Sequence, residues 1–550
     1  MKRAYQRLRD RLKFTVSVPS LGMRIVLATV YLAVASSVAS ATAEHSVVIT
    51  EKGPIQGVVT PTVRKFLGIP YAAPPVGDLR WRPPQVHARW LMPIKTTQFG
   101  NHCPQDPSPF GIASVTEDCL FLNVFTPVPE PDDGDDAPSH LRPVMVWIHG
   151  GALILWESDD FVPTKLVKEG GVIVVTINYR LGALGFLAHP ALSAESADHA
   201  SGNYGIMDQQ FALQWVRRNI AAFGGDPGNV TIFGESAGGL SVFSHLASPT
   251  ASGLFNRAIV ESGAYELTLP TLADTESQGV AVATGVGCSN QTAECLRSIS
   301  VETILANQGG IDITPNVDGK ILPQSLDTAF ATGQFNHVPL IQGTNHDEWR
   351  LFVALDELAG HPLTAEEYPF VVANLVGPQA APLVLAQYPL SNFASPSLAL
   401  GALGTDLIFA CPARVVDQLL SAQVPTFAYE FNDTNAPEIY LPPVSFPFGA
   451  THGSELQYLF KVPQSLPLNT MQRKLSTKMV RYWTQFARSG DPSSFEDAPF
   501  WPPYNPAVDE FQSLVPPSPQ GELDFAADHQ CDFLAKLFGA SAQASAGVSK

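Results

Sequence analysis

Six short runs of almost uninterrupted apolar residues, many of them β-branched, recur along this chain: residues 144–148, 172–177, 230–233, 258–260, 339–342 and 426–431. A strand reads as continuously apolar when both its faces are covered, as in a parallel sheet packed between helices. Longer mixed segments separate the runs, as crossover helices must separate parallel strands. Residues 208–220 are the clearest of these, with Phe211, Leu213, Trp215 and Val216 set among polar residues at roughly helical spacing. The acidic, proline-rich stretch 127–143 reads as a solvated loop. No internal repeat or shift in composition divides the chain.

The N-terminus and the cysteines bear on where the protein is located. Lys2, Arg3, Arg7, Arg9, Arg11, Lys13 and Arg24 precede an apolar stretch over 25–38, and the small-residue sites Ala39-Ser40-Ala41 and Ala41-Thr42-Ala43 follow. That is the layout of a secretion signal. The stretch is rich in Ala and Ser and short of the roughly 20 strongly apolar residues a spanning helix needs. Residues 1–43 therefore read as a cleaved signal, with an uncleaved anchor as the competing reading, and 44–550 as a single domain. Nothing beyond residue 43 reads as apolar enough to span a membrane. Removing the signal takes out seven basic residues and one acidic residue, leaving 26 Lys and Arg against 50 Asp and Glu, a net charge of −24. Such a surface repels phosphate backbones, so nucleic acid is not a partner, and it keeps an exported protein soluble. Six cysteines remain: Cys103, Cys119, Cys288, Cys295, Cys411 and Cys531. An even number in an exported chain permits three disulfides, and spacing alone does not choose the pairs. No tight C-x-x-C pair is present to hold a metal.

The chemistry is carried by Gly234-Glu235-Ser236-Ala237-Gly238, which follows the apolar run Val230-Thr231-Ile232-Phe233 and opens into Gly239-Leu240-Ser241-Val242-Phe243. A Gly-x-Ser-x-Gly at a strand-to-helix turn is the setting of a nucleophile elbow, where a strained backbone leaves no room beside the serine for larger side chains. A serine hydroxyl needs a base to take its proton, and the tetrahedral intermediate needs N–H donors for its oxyanion. His149-Gly150-Gly151-Ala152 follows the run 144–148 and matches the glycine-rich segment that supplies such donors; the amide of Ala237 supplies another. In this arrangement the acid and then the base follow the nucleophile in the chain. His337, His346, His361, His452 and His529 all remain eligible on spacing.

The chain resembles the type-B carboxylesterases, a family that includes carboxylesterases, cholinesterases and some fungal lipases. The likeness is carried by Glu117-Asp118-Cys119-Leu120-Phe121-Leu122-Asn123-Val124 and by the run from Asn203-Tyr204-Gly205 through Asp208-Gln209-Gln210, Trp215-Val216, Asn219-Ile220 and Phe223-Gly224-Gly225-Asp226-Pro227 to the elbow. Asn316-Val317-Asp318-Gly319, and Phe486-Ala487 with Gly490-Asp491-Pro492, spread it from about residue 46 to 538. The resemblance implies an α/β-hydrolase fold, with a mostly parallel central sheet, helices on both faces and large loop insertions. It implies a serine ester hydrolase that needs neither metal nor organic cofactor. It selects Glu348, in Gly343-Thr344-Asn345-His346-Asp347-Glu348, as the acid, with Asp347 as the rival, and His452, in His452-Gly453-Ser454-Glu455, as the base. The family has Gly where this chain has Trp349, which puts the loop's shape in question. It pairs Cys103 with Cys119, Cys288 with Cys295, and Cys411 with Cys531. The loop between Cys103 and Cys119 is short and holds no Trp, which argues against a cholinesterase and against a long lipase lid. The expected partner is a small or medium carboxylic ester; a lipase or a catalytically silent binding protein is the alternative. Oligomeric state is left open. Asn229, Asn290 and Asn432 begin N-x-[ST] sequons.

Overall fold

The computed structural model describes residues 45–128, 141–493 and 498–539. The expected signal and most of the acidic loop lie outside them. Strands are β1 (His45–Thr50), β2 (Gly53–Val59), β3 (Val63–Pro70), β4 (Ile94–Lys95), β5 (Phe121–Pro127), β6 (Arg142–Ile148) and β7 (Ile173–Ile177) in the first part of the chain. The second part supplies β8 (Gly225–Glu235), β9 (Arg257–Glu261), β10 (Leu340–Asn345), β11 (Thr426–Phe431), β12 (Phe511–Leu514) and β13 (Gln520–Glu522). All join one sheet in the order β1-β2-β3-β5-β7-β6-β8-β9-β10-β11-β12-β13, with β4 beside β2. From β7 through β12 neighbouring strands run parallel, while β1, β2, β3, β5 and β7 pair antiparallel in turn, as do β12 and β13, and the short β4 pairs parallel with β2.

All six apolar runs are strands of the parallel block, and their alternation shows why they had to be apolar throughout. In β6, Val144, Val146 and Ile148 enter the core on one face, and Met145 and Trp147 enter the core on the other. Helices Tyr204–Asn219 and Ala237–Ala247 cover the first face through Trp215, Val216, Leu240 and Phe243. Helix Thr470–Ser489 covers the second through Leu475, Met479, Trp483 and Phe486.

Three sequence expectations need correction. The crossover helix begins at Tyr204 rather than Asp208, because its polar first turns are buried and satisfied internally. Arg180 Nε pairs with Asp208 at 2.7 Å, Gln209 Nε2 donates to Ser241 Oγ at 3.1 Å, and Gln210 Nε2 donates to Ser248 Oγ at 3.1 Å. Pro127 and Pro143, placed in a loop by composition, belong to strands; the β6–β8 ladder shifts register between Arg142 and Val144, where Pro143 has no N–H to give. Finally, the continuous helical stretch Pro396–Ser421 is long and apolar enough to cross a membrane, but it lies mostly buried inside the protein. It is a core helix. The disulfides are Cys103–Cys119, Cys288–Cys295 and Cys411–Cys531, as the resemblance implies. Of the sequon asparagines, Asn290 is the exposed one.

Candidate active site

The carboxyl ends of β6, β8 and β10 deliver three pieces of chemistry to one edge of the sheet, which is where open α/β sheets build their sites. After β8 the backbone turns at Ser236 with φ 56° and ψ −120°, and helix Ala237–Ala247 starts at the next residue. A non-glycine residue with positive φ is strained, and the contacts around it show what enforces it. A Cβ on Gly238 would lie 2.0 Å from the Ile148 carbonyl oxygen, and one on Gly234 would lie 2.6 Å from that same atom. Only glycine lets the elbow sit this close to β6. The Ser236 amide donates to the Glu261 carbonyl at 2.8 Å, tying the turn to the end of β9.

After β6 the chain runs through Gly151 (φ 85°) and Ala152 (φ 54°), and a Cβ on Gly150 would lie 3.1 Å from the Ser236 Cβ. The glycine-rich segment thus passes directly against the elbow. His149, at its start, is scaffold: its ring stacks on Tyr179 at 4.5 Å, and burial pushes its pKa down to about 4.

After β10 the carboxylate of Glu348 accepts hydrogen bonds from Thr344 Oγ1 and the Asn345 amide, both at 2.8 Å, and from Ser262 Oγ. Its other oxygen meets His452 Nδ1 at 2.5 Å. Asp347, the rival acid, faces elsewhere: it accepts from the Ala450 amide at 2.9 Å and pairs with Arg350 at 2.7 Å. Burial alone would raise Asp347, but His346 and Arg350 hold its carboxyl below the usual range. Trp349 takes an ordinary right-handed helical conformation and packs on Phe352 and Phe409, so the departure from Gly leaves the turn intact.

His452 is buried against the stacked rings of Phe352 and Phe409, whose centroids lie 5.4 and 5.1 Å away. Its Nε2 stands 3.2 Å from Glu235 Oε1. Burial disfavours the imidazolium, but the flanking carboxylates Glu235 and Glu348 outweigh it and raise the pKa to about 9. Burial raises the Glu235 carboxyl, and the imidazolium of His452 beside it favours its ionised form. Ser236, His452, Gly151 and Ala152 line one cavity of about 410 Å³, together with Phe110, Leu155, Trp156, Leu351, Phe352 and Leu355.

The model of the carboxylesterase family matches residues 44–533. The chain belongs to that family. A para-nitrobenzyl esterase of Bacillus subtilis (strain 168) is 35% identical over 520 residues, covering 90% of this chain and 99% of the relative. A cocaine esterase of Homo sapiens is 33% identical over 487 residues, covering 83% and 84%. A solved PNB esterase superposes with a TM-score of 0.74 at 34% identity, covering 90% of this chain and 100% of that structure. This carboxylesterase is thus a carboxylic ester hydrolase of the α/β-hydrolase fold.

Of the histidines left open by spacing in this carboxylesterase, only His452 lines the cavity with Ser236. His346 contacts Asp347, His337 contacts the Gly333 carbonyl, His361 is exposed, and His529 sits between Asp406 and Glu430. Sequence reasoning missed Glu235, although it stands inside the elbow motif. Its position at the end of a strand, one residue before the serine, was the available signal. It also missed the aromatic residues Phe110 and Trp156, for which no motif gives warning.

Proposed function

We propose that this carboxylesterase hydrolyses small or medium carboxylic esters through an acyl-enzyme, with Ser236 as nucleophile, His452 as its base and Glu348 as the group that orients and supports the imidazolium. The observation that carries the reading is one apolar cavity lined by a serine on a strained elbow and by the imidazole that Glu348 holds. Ser236 Oγ attacks the ester carbonyl while His452 Nε2 takes its proton, and the amides of Gly151, Ala152 and Ala237 stabilise the oxyanion. The alkoxide leaves with the proton from Nε2, and His452 then activates water to release the acid. The cavity is narrow and lined by apolar side chains, which favours modest esters over long acyl chains. The names of the relatives point the same way, toward para-nitrobenzyl esters and cocaine.

Residues 44–550 act as one hydrolase domain, exported after cleavage at Ala41 or Ala43. N-terminal sequencing of protein recovered from the medium or periplasm, showing Glu44 or Thr42 first, supports export; an intact N-terminus refutes it. The mechanism is tested with p-nitrophenyl esters from acetate to palmitate, using Ser236→Ala as control. Turnover confined to short chains and abolished in Ser236→Ala supports the proposal. Activity retained in Ser236→Ala overturns it, and a long-chain optimum favours a lipase instead.

A further inference from the structure

We propose that Trp156 is the residue that sets how large an alcohol the ester may carry, an inference that rests on the acyl-enzyme reading of the site. Trp156 is buried at 7% exposure yet adopts a left-handed backbone, with φ 74°. A large aromatic side chain pays for that conformation in strain, and such outliers persist where the surroundings hold them for a purpose.

The hold is visible. The Trp156 amide donates to Gln105 Oε1 at 3.0 Å, and Gln105 Nε2 donates to the Trp156 carbonyl at 3.2 Å and to Glu157 Oε2 at 2.9 Å. Gln105 is itself buried and sits two residues inside the loop closed by Cys103–Cys119. His102, just before that loop, meets Glu157 and Asp159 at 3.0 and 3.1 Å. Backbone clamp, ion contacts and disulfide together bind the loop that carries Phe110 to the segment that carries Trp156.

What they present to the cavity is an aromatic wall. Trp156 meets Phe110 edge-on at 6.3 Å and Tyr440 at 5.7 Å, and Phe110 meets Tyr440 at 5.7 Å. The side of the site it closes follows from His452 Nε2, the atom that protonates the departing alkoxide. Glu235 Oε1 is 3.2 Å from Nε2, and a Cβ on the neighbouring Gly453 would lie 3.6 Å from the Tyr440 ring and 3.8 Å from that same Oε1. Tyr440 thus lies on the Glu235 side of Nε2, and Trp156 and Phe110, which line the cavity, continue the wall from it. On this assignment the acyl chain is left to Leu351 and Leu355 at the same cavity.

The test compares wild type with Trp156→Gly on acetate esters of ethanol, benzyl alcohol and 1-naphthylmethanol, and separately on p-nitrophenyl acetate through octanoate. Glycine accepts φ 74° without strain, so the backbone path is kept while the indole is removed. The kcat/KM for the naphthylmethyl ester relative to the ethyl ester is expected to rise at least roughly tenfold, the range for relieving a steric exclusion in a pocket, with the acyl-chain ranking unchanged. Phe110→Ala opens the same wall without touching the strained backbone, and a smaller rise in the same ratio is expected; it serves if the glycine variant does not fold. An unmoved alcohol ratio, or a shift in acyl ranking instead, overturns the gate. When Ser236→Ala is inactive, that result leaves the mechanism standing; activity retained in Ser236→Ala overturns both.

Discussion

Two buried histidines in this carboxylesterase have almost the same surroundings. His452 lies between Glu348 at 2.5 Å and Glu235 at 3.2 Å, and His529 lies between Asp406 and Glu430, each at 2.6 Å. Their side chains are 7% and 4% exposed. Burial pushes both imidazoles toward the neutral form, and paired carboxylates more than reverse it, to about 9 for His452 and well above the ordinary value for His529. What differs is the third neighbour. His452 lines a cavity with a strained serine, whereas His529 is closed in by its own supports. Tyr388 donates to Asp406 at 2.7 Å, Asn432 donates to Glu430 at 3.2 Å, and the Cys411–Cys531 bridge stands two residues on. Asp406 opens a π-helical turn, Asp406–Ala410, just before Pro412, whose ring cannot follow a regular α-helix and which has no N–H to donate. That turn also carries Phe409, which packs against His452. We read one carboxylate–imidazole–carboxylate arrangement as a reaction centre and the other as a staple, and access to a cavity makes the difference.

The sharpest way to break that comparison is to remove each imidazole. His452→Gln is expected to lower kcat by about 10⁴-fold or more, the loss typical of a missing triad member, and to lower the urea midpoint as well, since Glu348 and Glu235 lose their cation. His529→Gln is expected to lower the urea midpoint alone. It leaves two buried carboxylates without their cation, a loss of roughly 3–5 kcal/mol in urea unfolding, while kcat at a temperature where the variant is folded stays within a few-fold. Because the folded-state pKa of His529 is raised, this stabilisation is complete below pH about 6.5. It fades as pH climbs toward the folded value, so wild type and variant converge in stability on the alkaline side. Loss of activity in His529→Gln that refolding conditions do not restore breaks the distinction.

Glu235→Gln sharpens it. The raised pKa of His452 owes much to Glu235, and only the neutral imidazole can take the serine proton. Removing the anion therefore moves the acid limb of the kcat/KM profile to lower pH; a limb that stays put or moves up means that Glu348 alone sets it. The smallest effect belongs to a third histidine of the same kind. Side-chain hydrogen bonds donated to Asp159 and Glu157 raise the His102 pKa to about 10 against partial burial. Its side chain is 18% exposed, so solvent screens the contacts, and His102→Gln is expected to cost about 1 kcal/mol. A loss as large as that of His529→Gln would show that exposure does not separate these sites.

Much of the architecture was legible before any coordinates. A strand buried on both faces is apolar at nearly every position, which is why all six runs of the parallel block could be read directly. Strands β2–β4 gave no such signal, since β2 and β3 mix buried with half-buried positions and β4 is two residues long, and β5, though buried, is interrupted by Asn123 and Thr126. The early start of helix Tyr204–Asn219 was hidden for the opposite reason. Asp208, Gln209 and Gln210 look solvent-facing in a sequence and are buried here, each answered by a partner distant in the chain. Glu235 could be read as a residue but not as a neighbour of an imidazole brought in from the far side of β11.

By itself, the sequence determined the elbow at Ser236 and the glycine segment ending at Ala152, because local backbone strain and close approach demand those residue types wherever they occur. It determined the parallel core through the same kind of local rule. Spacing left open which of five histidines would stand beside Ser236 and which of two adjacent acids would hold it; the family resemblance chose His452 and Glu348, and the tertiary structure brings that pair together and decides which aromatic rings wall the cavity. Those choices depend on strand order and on loops meeting across the end of the sheet, and contacts between distant segments leave no periodic mark in either one.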